Sequence, residues 1–267
     1  MIITGLILNL LIGTGTLTGL WLIYLWKRNA AIVDLGWATG LTLMGLAHSL
    51  RSDAPILGRL CIVGLVLLWG LRLGGYLFWT RLRVGKKDAR YEALSGRSRL
   101  PAVWFFLIHY LIQACFQAAV GMVFIFTAQH TTWASMDAIL GLTLWCVGYT
   151  GSIMADVQLH RFRRQSHHQG QICCQGLWQY SRHPNYFFEI LLWFGLALIG
   201  LQSSWGWLGF VSPITLALTM TLITGPISER QSLTSKPEAY HQYQQSTSMI
   251  LPWFKKPPAR SASRSDT

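Results

Sequence analysis

Residues 57–80 read LGRLCIVGLVLLWGLRLGGYLFWT, an apolar run that contains only two charged side chains, Arg59 and Arg72. About 20 mostly apolar residues in a helix cross the roughly 30 Å hydrocarbon core of a bilayer. The run therefore predicts a membrane-spanning helix, and the whole chain shares its character. Of the 267 residues, 52% are hydrophobic and only 12% are charged. This composition excludes an ordinary soluble enzyme, a disordered chain and a disulfide scaffold.

Outward from this run, six further segments are long and apolar enough to predict membrane-spanning helices. We expect an all-α integral membrane protein with about seven transmembrane helices. A single domain at 1–256 would hold them, and a disordered tail would follow at 257–267. The predicted helices lie near residues 3–26, 31–50, 57–80, 102–127, 136–156, 185–201 and 207–224.

The basic residues indicate the orientation of these helices. The chain has 22 Lys and Arg against 10 Asp and Glu, a net charge of +12. The connections after the first, third, fifth and seventh predicted helices hold 19 of the 22 basic residues. Basic residues collect in cytoplasmic loops, so we expect the N-terminus outside and the C-terminus in the cytosol. Topology explains the positive charge, and we expect no nucleic-acid partner.

Among the ionisable side chains within predicted helices, the candidates for a polar cavity are Asp34, Arg72, Asp156 and Glu189. A charge at the membrane centre costs about 2.5–3.5 kcal/mol on insertion scales. In the predicted orientation all four lie in the cytosolic half, which favours one water-filled cavity open to the cytosol. The alternative is that these side chains reach up to the membrane interface.

Helical spacing places three of these charges on faces with other polar or aromatic groups. Such a face suits a ligand, although aromatic stripes also serve packing and the interfacial belt. The faces are Trp69, Arg72, Tyr76 and Trp79 in the third helix, Asp156, His160 and Arg163 in the fifth, and Asn185, Glu189 and Trp193 in the sixth.

Two basic clusters lie at the predicted cytosolic face. The first comprises Arg81, Arg83, Lys86, Lys87 and Arg90, and the second Arg161, Arg163, Arg164 and Arg182. Guanidinium groups bind phosphate bidentately, so these clusters suit a polyphosphate ligand. The alternative explanation, which the spacing alone favours, is topology or anionic lipid headgroups. The chain has no GxGxxG or GxxxxGK[ST] motif, and its histidine spacing predicts no metal site.

Similarity to a known superfamily begins with two strings, ADVQLHRFRR at 155–164 and GLWQYSRHPNYFFE at 176–189. They resemble the steroid 5-alpha-reductase superfamily, the 3-oxo-5-alpha-steroid 4-dehydrogenase C-terminal-like membrane proteins. Within it the chain is most similar to the branch labelled DUF1295. Further matching strings are DLGW at 34–37, LWGLRLGGYLFWTRLR at 68–83, DARY at 88–91, and Glu229 followed by YHQYQQSTSMILPW at 240–253.

The resemblance implies a seven-helix membrane fold with a cytosolic NADPH pocket in about residues 140–256. It implies reduction of a carbon–carbon double bond conjugated to a carbonyl, in a steroid-like or enoyl lipid substrate that enters from the bilayer. Asn185 and Glu189 would contact the nicotinamide end. The other implied cofactor residues are Asp156 and Arg163 at the sugar and phosphate region, Arg81 and Arg83 at phosphates, and Arg182, His183, Tyr186 and Tyr243 along the pocket.

The substrate half departs from the steroid reductases, which carry a Gln-Glu pair and a Tyr where this chain has DLGW and Trp69. We expect Arg72 and Tyr76 to stabilise the charge that develops on the substrate oxygen, with Asp34 orienting Arg72. The alternative is that Asp34 and Arg72 form a buried structural pair.

Two other function classes stay open. Isoprenylcysteine and phospholipid methyltransferases share RHPNY-like strings and bind S-adenosylmethionine in a comparable pocket. A scaffold or lipid-binding protein would bind no nucleotide. In each reading the host is the bacterial inner membrane or the endoplasmic reticulum, and membrane lipids are partners. The sequence does not indicate an oligomeric state.

Overall fold

The computed structural model describes residues 1–82, 96, 98–129, 132–168 and 170–255, without the side chains of residues 81 and 82. Within these ranges the chain is helical and forms no strand, which confirms that the protein is all-α. The helices are α1 (Ile2–Lys27), α2 (Ile32–Arg51), α3 (Ile56–Leu77), α4 (Ala102–Val120), α5 (Val123–Thr127), α6 (Met136–Arg164), α7 (Pro184–Ile199), α8 (Val211–Thr219), α9 (Gly225–Ser235) and α10 (Pro237–Ser246).

Six helical segments of the described chain are long and apolar enough to cross a membrane. They agree with six of the seven predicted spans. Six such helices are compatible with a multi-pass membrane protein. The segments are Ile2–Lys27, Ile56–Thr80, Ala102–Thr127, Met136–Arg164, Pro184–Gln202 and Gly206–Ser235. The orientation of the chain in the membrane stays a prediction.

The remaining predicted span, 31–50, forms α2 but is not among the six, because its polar residues lower its mean hydropathy. It begins with Asp34 in its first turn and ends with His48 and Arg51 in its last. Nine of its 20 residues are buried. Since α2 packs against α1, α3 and α4, protein covers much of its surface. A helix enclosed in this way does not need the apolar surface that lipid contact demands.

The helices form two compact units, and the division falls within α6, α7 and α8. The N-terminal unit comprises Met1–Trp145 and Trp193–Leu216, and the C-terminal unit comprises Cys146–Leu192 and the chain from Ala217 onward. The predicted tail at 257–267 lies outside the described residues.

Aromatic side chains fill the core between α1 and α4 in the N-terminal unit. Tyr24 packs against Phe106 at a centroid distance of 5.0 Å. Tyr110 is fully buried, and its hydroxyl donates to the carbonyl oxygen of Ala30 at 2.8 Å. This bond holds the short connection between α1 and α2, so the turn that leads into α2 is fixed from within the core.

Helix α6 ends at Arg164, eight residues beyond the predicted boundary at 156. The prediction was wrong because hydropathy marks only the apolar part of a helix, whereas the last two turns of α6 are polar and basic. Asp156 consequently lies inside a helix, and Arg161, Arg163 and Arg164 extend from its last turn.

Candidate functional site

Glycines let α6 and α7 approach closely in the C-terminal unit. A Cβ atom at Gly148 would lie 2.6 Å from the backbone nitrogen of Leu192, and one at Gly151 would overlap the ring of Phe188. Close approach through small residues is typical of helix pairs in membranes, where packing rather than water drives association. It brings the polar side chains near the ends of the two helices within reach of one another.

Asp156 on α6 and Asn185 on α7 form the centre of the candidate site. The amide nitrogen Nδ2 of Asn185 donates to Oδ1 of Asp156 at 3.4 Å. The other amide atom, Oδ1 of Asn185, is buried and has no hydrogen-bond partner among the described residues. Glu189 lies one turn further along α7, and like Asp156 it is only 8% exposed. Two buried carboxylates and an unsatisfied acceptor thus meet in one place.

The guanidinium N–H groups of the neighbouring Arg182 donate hydrogen bonds to other groups of the protein. Its Nε and Nη2 donate to the two carboxylate oxygens of Glu229, at 2.7 and 3.3 Å. Its Nη1 donates to the carbonyl oxygens of Gln244 at 3.2 Å and Thr247 at 2.5 Å. Because a guanidinium has five N–H donors, these four bonds nearly saturate it. We call this ion pair and its hydrogen bonds the arginine clasp.

His183 and Gln244 complete the arginine clasp around Glu229. His183 Nε2 lies 3.2 Å from Oε1 of Glu229, and Gln244 Nε2 donates to Oε2 at 2.6 Å. The ring of His183 also stacks on Tyr186 at 4.8 Å. The clasp therefore connects α9 and α10 to the loop that leads into α7, and it fixes the beginning of α7.

A short strap, residues 247–253, runs beside the loop at 180–183. The backbone N–H groups of Arg182 and His183 donate to the carbonyl oxygens of Ser248 and Met249, at 2.9 and 3.0 Å. In the other direction, the backbone N–H of Trp253 donates to the carbonyl oxygen of Tyr180 at 2.9 Å. The hydroxyl of Ser181 donates to the carbonyl oxygen of Ile250 at 2.8 Å. The strap thus satisfies the buried backbone groups of the loop that precedes α7.

Tyr243 on α10 holds the same loop from the other side. Its hydroxyl donates to the carbonyl oxygens of Trp178 and, at 3.1 Å, Ser181. Burial raises the pKa of this hydroxyl above its usual value, with smaller contributions from Cys174 and Tyr240, so it remains a donor. Trp178 in turn donates from Nε1 to the carbonyl oxygen of Ala155 at 3.0 Å.

The loop residue before Trp178 is also fixed to α6. The backbone N–H of Leu177 donates to Oε1 of Gln158 at 2.9 Å. Gly176 has a φ of +58°, and a Cβ there would lie 2.6 Å from the same Gln158 oxygen. A left-handed backbone against a side chain requires glycine at this position.

The structure thus separates the predicted cofactor residues of this unit into two groups. Asp156, Asn185 and Glu189 lie together, and Arg163 is exposed two turns beyond Asp156. Arg182, His183 and Tyr243 bond to the protein in the arginine clasp and the loop. The side chain of Arg81 and the whole of Arg83 lie outside the described residues.

In the N-terminal unit α2 and α3 pack antiparallel in a definite register. A Cβ at Gly70 would overlap the side chain of Thr42, and one at Gly74 would touch Ala38 at 3.6 Å. For any two residues of α2 and α3 that face one another, the two residue numbers therefore add up to about 112. The glycines of α3 allow this approach, since the facing side chains occupy the space that a methyl group would take.

This register sets the levels of the predicted catalytic residues. Asp34, Arg72 and Tyr76 are all half-buried. Asp34 is level with about residue 78 of α3, so it lies nearer in height to Tyr76 than to Arg72. Its offset from Arg72 is six residues, about 9 Å along the helix axis. The register thus brings the levels of Asp34, Arg72 and Tyr76 to within about two helical turns, and the orientation of Arg72 by Asp34 stays a prediction.

The chain is similar to a known family of proteins. Residues 20–247 match the family described as "Protein of unknown function (DUF1295)". The chain belongs to this family. A curated relative, an uncharacterized protein of Schizosaccharomyces pombe (C594.04c), is 22% identical over 286 aligned residues, which cover 94% of this chain and 79% of that protein. No solved structure matches the chain significantly.

Sequence reasoning about this DUF1295 chain did not predict the roles of Glu229, Gln244 and Ser181. Glu229 is 46 residues from His183, and no spacing pattern joins them. The available signal was the acidic residue itself, within the otherwise uncharged run GPISE at 225–229, directly after the last predicted span. A buried carboxylate requires a donor or cation, and Arg182 supplies one.

Proposed function

We propose that this protein is a membrane-embedded, NADPH-dependent reductase of a carbon–carbon double bond conjugated to a carbonyl. Its substrate would be a hydrophobic molecule, steroid-like or an enoyl lipid, that enters from the bilayer. The observation that carries the proposal is the buried Oδ1 of Asn185, which lacks a partner among the described residues beside two buried carboxylates. The resemblance of the surrounding strings to the reductase superfamily supports it.

The residues of this site fit the cofactor. A nicotinamide carboxamide carries an NH2 group, which is the donor that the unsatisfied Oδ1 of Asn185 needs. Asp156 offers carboxylate oxygens to ribose hydroxyls, the role that an acidic residue has in other dinucleotide sites. The exposed Arg163 suits a phosphate. NADPH, when bound, would supply a hydride to the β carbon of the substrate.

The arginine clasp and Tyr243 would act indirectly in this reaction. They hold the loop at 176–183, and this loop sets the beginning of α7 and with it the position of Asn185. Because the site is already ordered before the cofactor binds, binding has a smaller entropic cost. Charge on the substrate oxygen would need a donor, and Arg72 and Tyr76 remain our candidates for it.

A second candidate function is methyl transfer from S-adenosylmethionine. The observation that favours it is the pair of buried carboxylates, Asp156 and Glu189, because a sulfonium cation is stabilised by nearby negative charge. It leaves the exposed arginines at the end of α6 without a phosphate to bind. The two candidates therefore differ first in which cofactor binds.

Titration calorimetry of the detergent-purified protein with NADPH and with S-adenosylmethionine distinguishes them. We expect NADPH to bind, and Asn185→Ala to weaken binding about tenfold because one buried hydrogen bond is lost. The matched control is Gln242→Ala, which removes an exposed amide of α10 and should leave the affinity unchanged. Binding of S-adenosylmethionine alone would establish the second candidate. Binding of neither would show that the reductase proposal is wrong.

A further inference from the structure

A cavity of about 240 Å³ opens at the other end of α2, within the N-terminal unit. It lies among the beginning of α1, the end of α2 and the end of α5. His48 in this cavity is 14 residues from Asp34 along α2, or about 20 Å. The lining includes Thr4, Leu8, His48, Arg51, Ile125 and Gln129. Neither proposed cofactor uses any of these residues.

A fully buried amide fixes the histidine that lines the cavity. Asn9 is 0% exposed, and its Nδ2 donates to the carbonyl oxygen of Ala118 at 3.3 Å. Its Oδ1 is therefore the acceptor that lies 2.9 Å from Nε2 of His48. The proton of the neutral ring consequently sits on Nε2, which leaves Nδ1 as a hydrogen-bond acceptor.

The charged side chain that lines the cavity is Arg51, in the last turn of α2 and one turn beyond His48. Its side chain is exposed and makes no hydrogen bond or ion pair with any described residue. It thus differs from Arg59 nearby, which donates to the carbonyl oxygen of Ser52 at 3.1 Å. The guanidinium of Arg51 is available to an anion, and its planar fork suits phosphate oxygens.

We propose that this cavity binds the headgroup of a phospholipid that carries both a phosphate and an N–H donor, as phosphoethanolamine does. Arg51 binds the phosphate, and the neutral ring of His48 accepts a hydrogen bond from the ammonium group. The cavity is smaller than the roughly 300–1,000 Å³ of pockets for drug-sized ligands, so it holds a headgroup and not a whole lipid.

The beginning of α1 offers a surface for the acyl chains of such a lipid. Ile3, Ile7 and Leu11 are 75%, 51% and 65% exposed, and their spacing places them on one face. This apolar face starts at the level of the cavity, beside Thr4 and Leu8. A lipid with its headgroup in the cavity would therefore keep its chains along α1, in the hydrocarbon of the bilayer.

Native mass spectrometry of the full-length protein tests this proposal with equimolar dioleoyl phosphatidylethanolamine and dioleoyl phosphatidylcholine. The choline lipid shares the phosphate but lacks an N–H donor. We expect wild-type protein to retain the ethanolamine lipid several-fold better. Arg51→Gln should reduce retention of both lipids about tenfold, because a charged hydrogen bond is lost. Arg230→Gln, which removes an exposed arginine far along the chain, is the matched control.

A second variant tests the hydrogen bond that His48 accepts and leaves the charge of Arg51 in place. His48→Phe should abolish the preference for the ethanolamine lipid while Arg51 still retains both. Equal retention of the two lipids by wild-type protein, or unchanged retention in Arg51→Gln, would show that the proposal is wrong. Displacement of the bound lipid by millimolar soluble phosphoethanolamine would show that the acyl chains contribute nothing, which contradicts the lipid as the occupant.

Discussion

The arginine clasp and the pair Asp156–Asn185 lie in the same unit and use the same kinds of groups, but they differ in hydrogen bonding. In the clasp, four of the five N–H donors of Arg182 are used, and both oxygens of Glu229 are bound. In the other pair, a single 3.4 Å bond leaves a buried amide oxygen without a partner among the described residues.

This difference distinguishes groups that stabilise the fold from groups placed for a ligand. A saturated buried network gives rigidity and has no donor left to offer. An unsatisfied buried acceptor costs stability unless a ligand or water satisfies it, which is the property that the proposed role of Asn185 requires. The two regions should therefore respond oppositely to substitution, one in stability and the other in ligand affinity.

The largest expected effect is that of Glu229→Ala, which leaves Arg182 buried without its counterion. The two side chains are 9% and 11% exposed. Breaking a buried pair in this way costs about 3–5 kcal/mol, so the melting temperature in detergent should fall steeply. Glu238→Ala removes an exposed carboxylate of α10 and should change stability by less than about 0.5 kcal/mol. Equal melting temperatures of the two variants would refute the structural role of the clasp.

Next in size is Gly148→Ala, which forces α6 and α7 apart where a methyl group would meet the backbone of α7. Overpacking typically costs about 1–3 kcal/mol, and here it should also weaken cofactor binding because Asp156 and Asn185 move apart. Thermal melting and calorimetry measure the two effects. Gly64→Ala on α3 meets open space, so it should leave cofactor affinity unchanged and should not lower the melting temperature. A neutral Gly148→Ala would mean that close packing does not set the site.

Tyr243→Phe should cost about 0.5–1.5 kcal/mol, because the phenol hydroxyl no longer donates to the loop carbonyls. The pKa of the Tyr243 hydroxyl is higher in the folded protein than in the unfolded chain. The stability that this hydroxyl contributes is therefore fully present below the unfolded pKa of about 10. That contribution falls as the pH rises toward the folded pKa. Melting curves from pH 7 to 11 should show this loss in wild type and less of it in the variant. The control is Tyr180→Phe, at an exposed phenol, and an identical profile for Tyr243→Phe and wild type would contradict the assignment.

The smallest expected change in stability is that of Asn185→Ala. It removes one long bond and an oxygen that had no described partner, so the free energy of unfolding should change by less than about 0.5 kcal/mol. The same variant should lose cofactor affinity. A loss of stability as large as that of Glu229→Ala would erase the distinction between the two regions.

Hydropathy predicted much of the fold. All six candidate spans begin within one residue of their predicted starts. Two predicted ends, at 156 and 224, fall 8 and 11 residues short of Arg164 and Ser235. Both helices continue as polar helix beyond their apolar part, and composition does not mark where such a helix ends. Helix α2 shows the converse, since a helix covered by protein is less apolar than one that faces lipid.

The candidate site was predictable only in part. Helical spacing placed Asn185 and Glu189 on one face, and this depends on local geometry alone. The partners of Arg182 lie 47 to 65 residues later in the chain. No local pattern indicates such a contact, so a basic residue that pairs with Glu229 resembled one that would bind phosphate. Long-range pairing is a property of the fold, which the sequence of the loop does not contain.

The separation between Arg182 and its partners also has a consequence for biosynthesis. Thr247, which accepts from this guanidinium, is added 65 residues after it. At about 5–20 residues per second, the ribosome needs about 3–13 s to make that stretch. During this interval the loop before α7 has been made while the strap that satisfies its backbone has not. Chain elongation therefore imposes an order on assembly, in which the helices before the strap are made first and the loop that leads into α7 is fixed last.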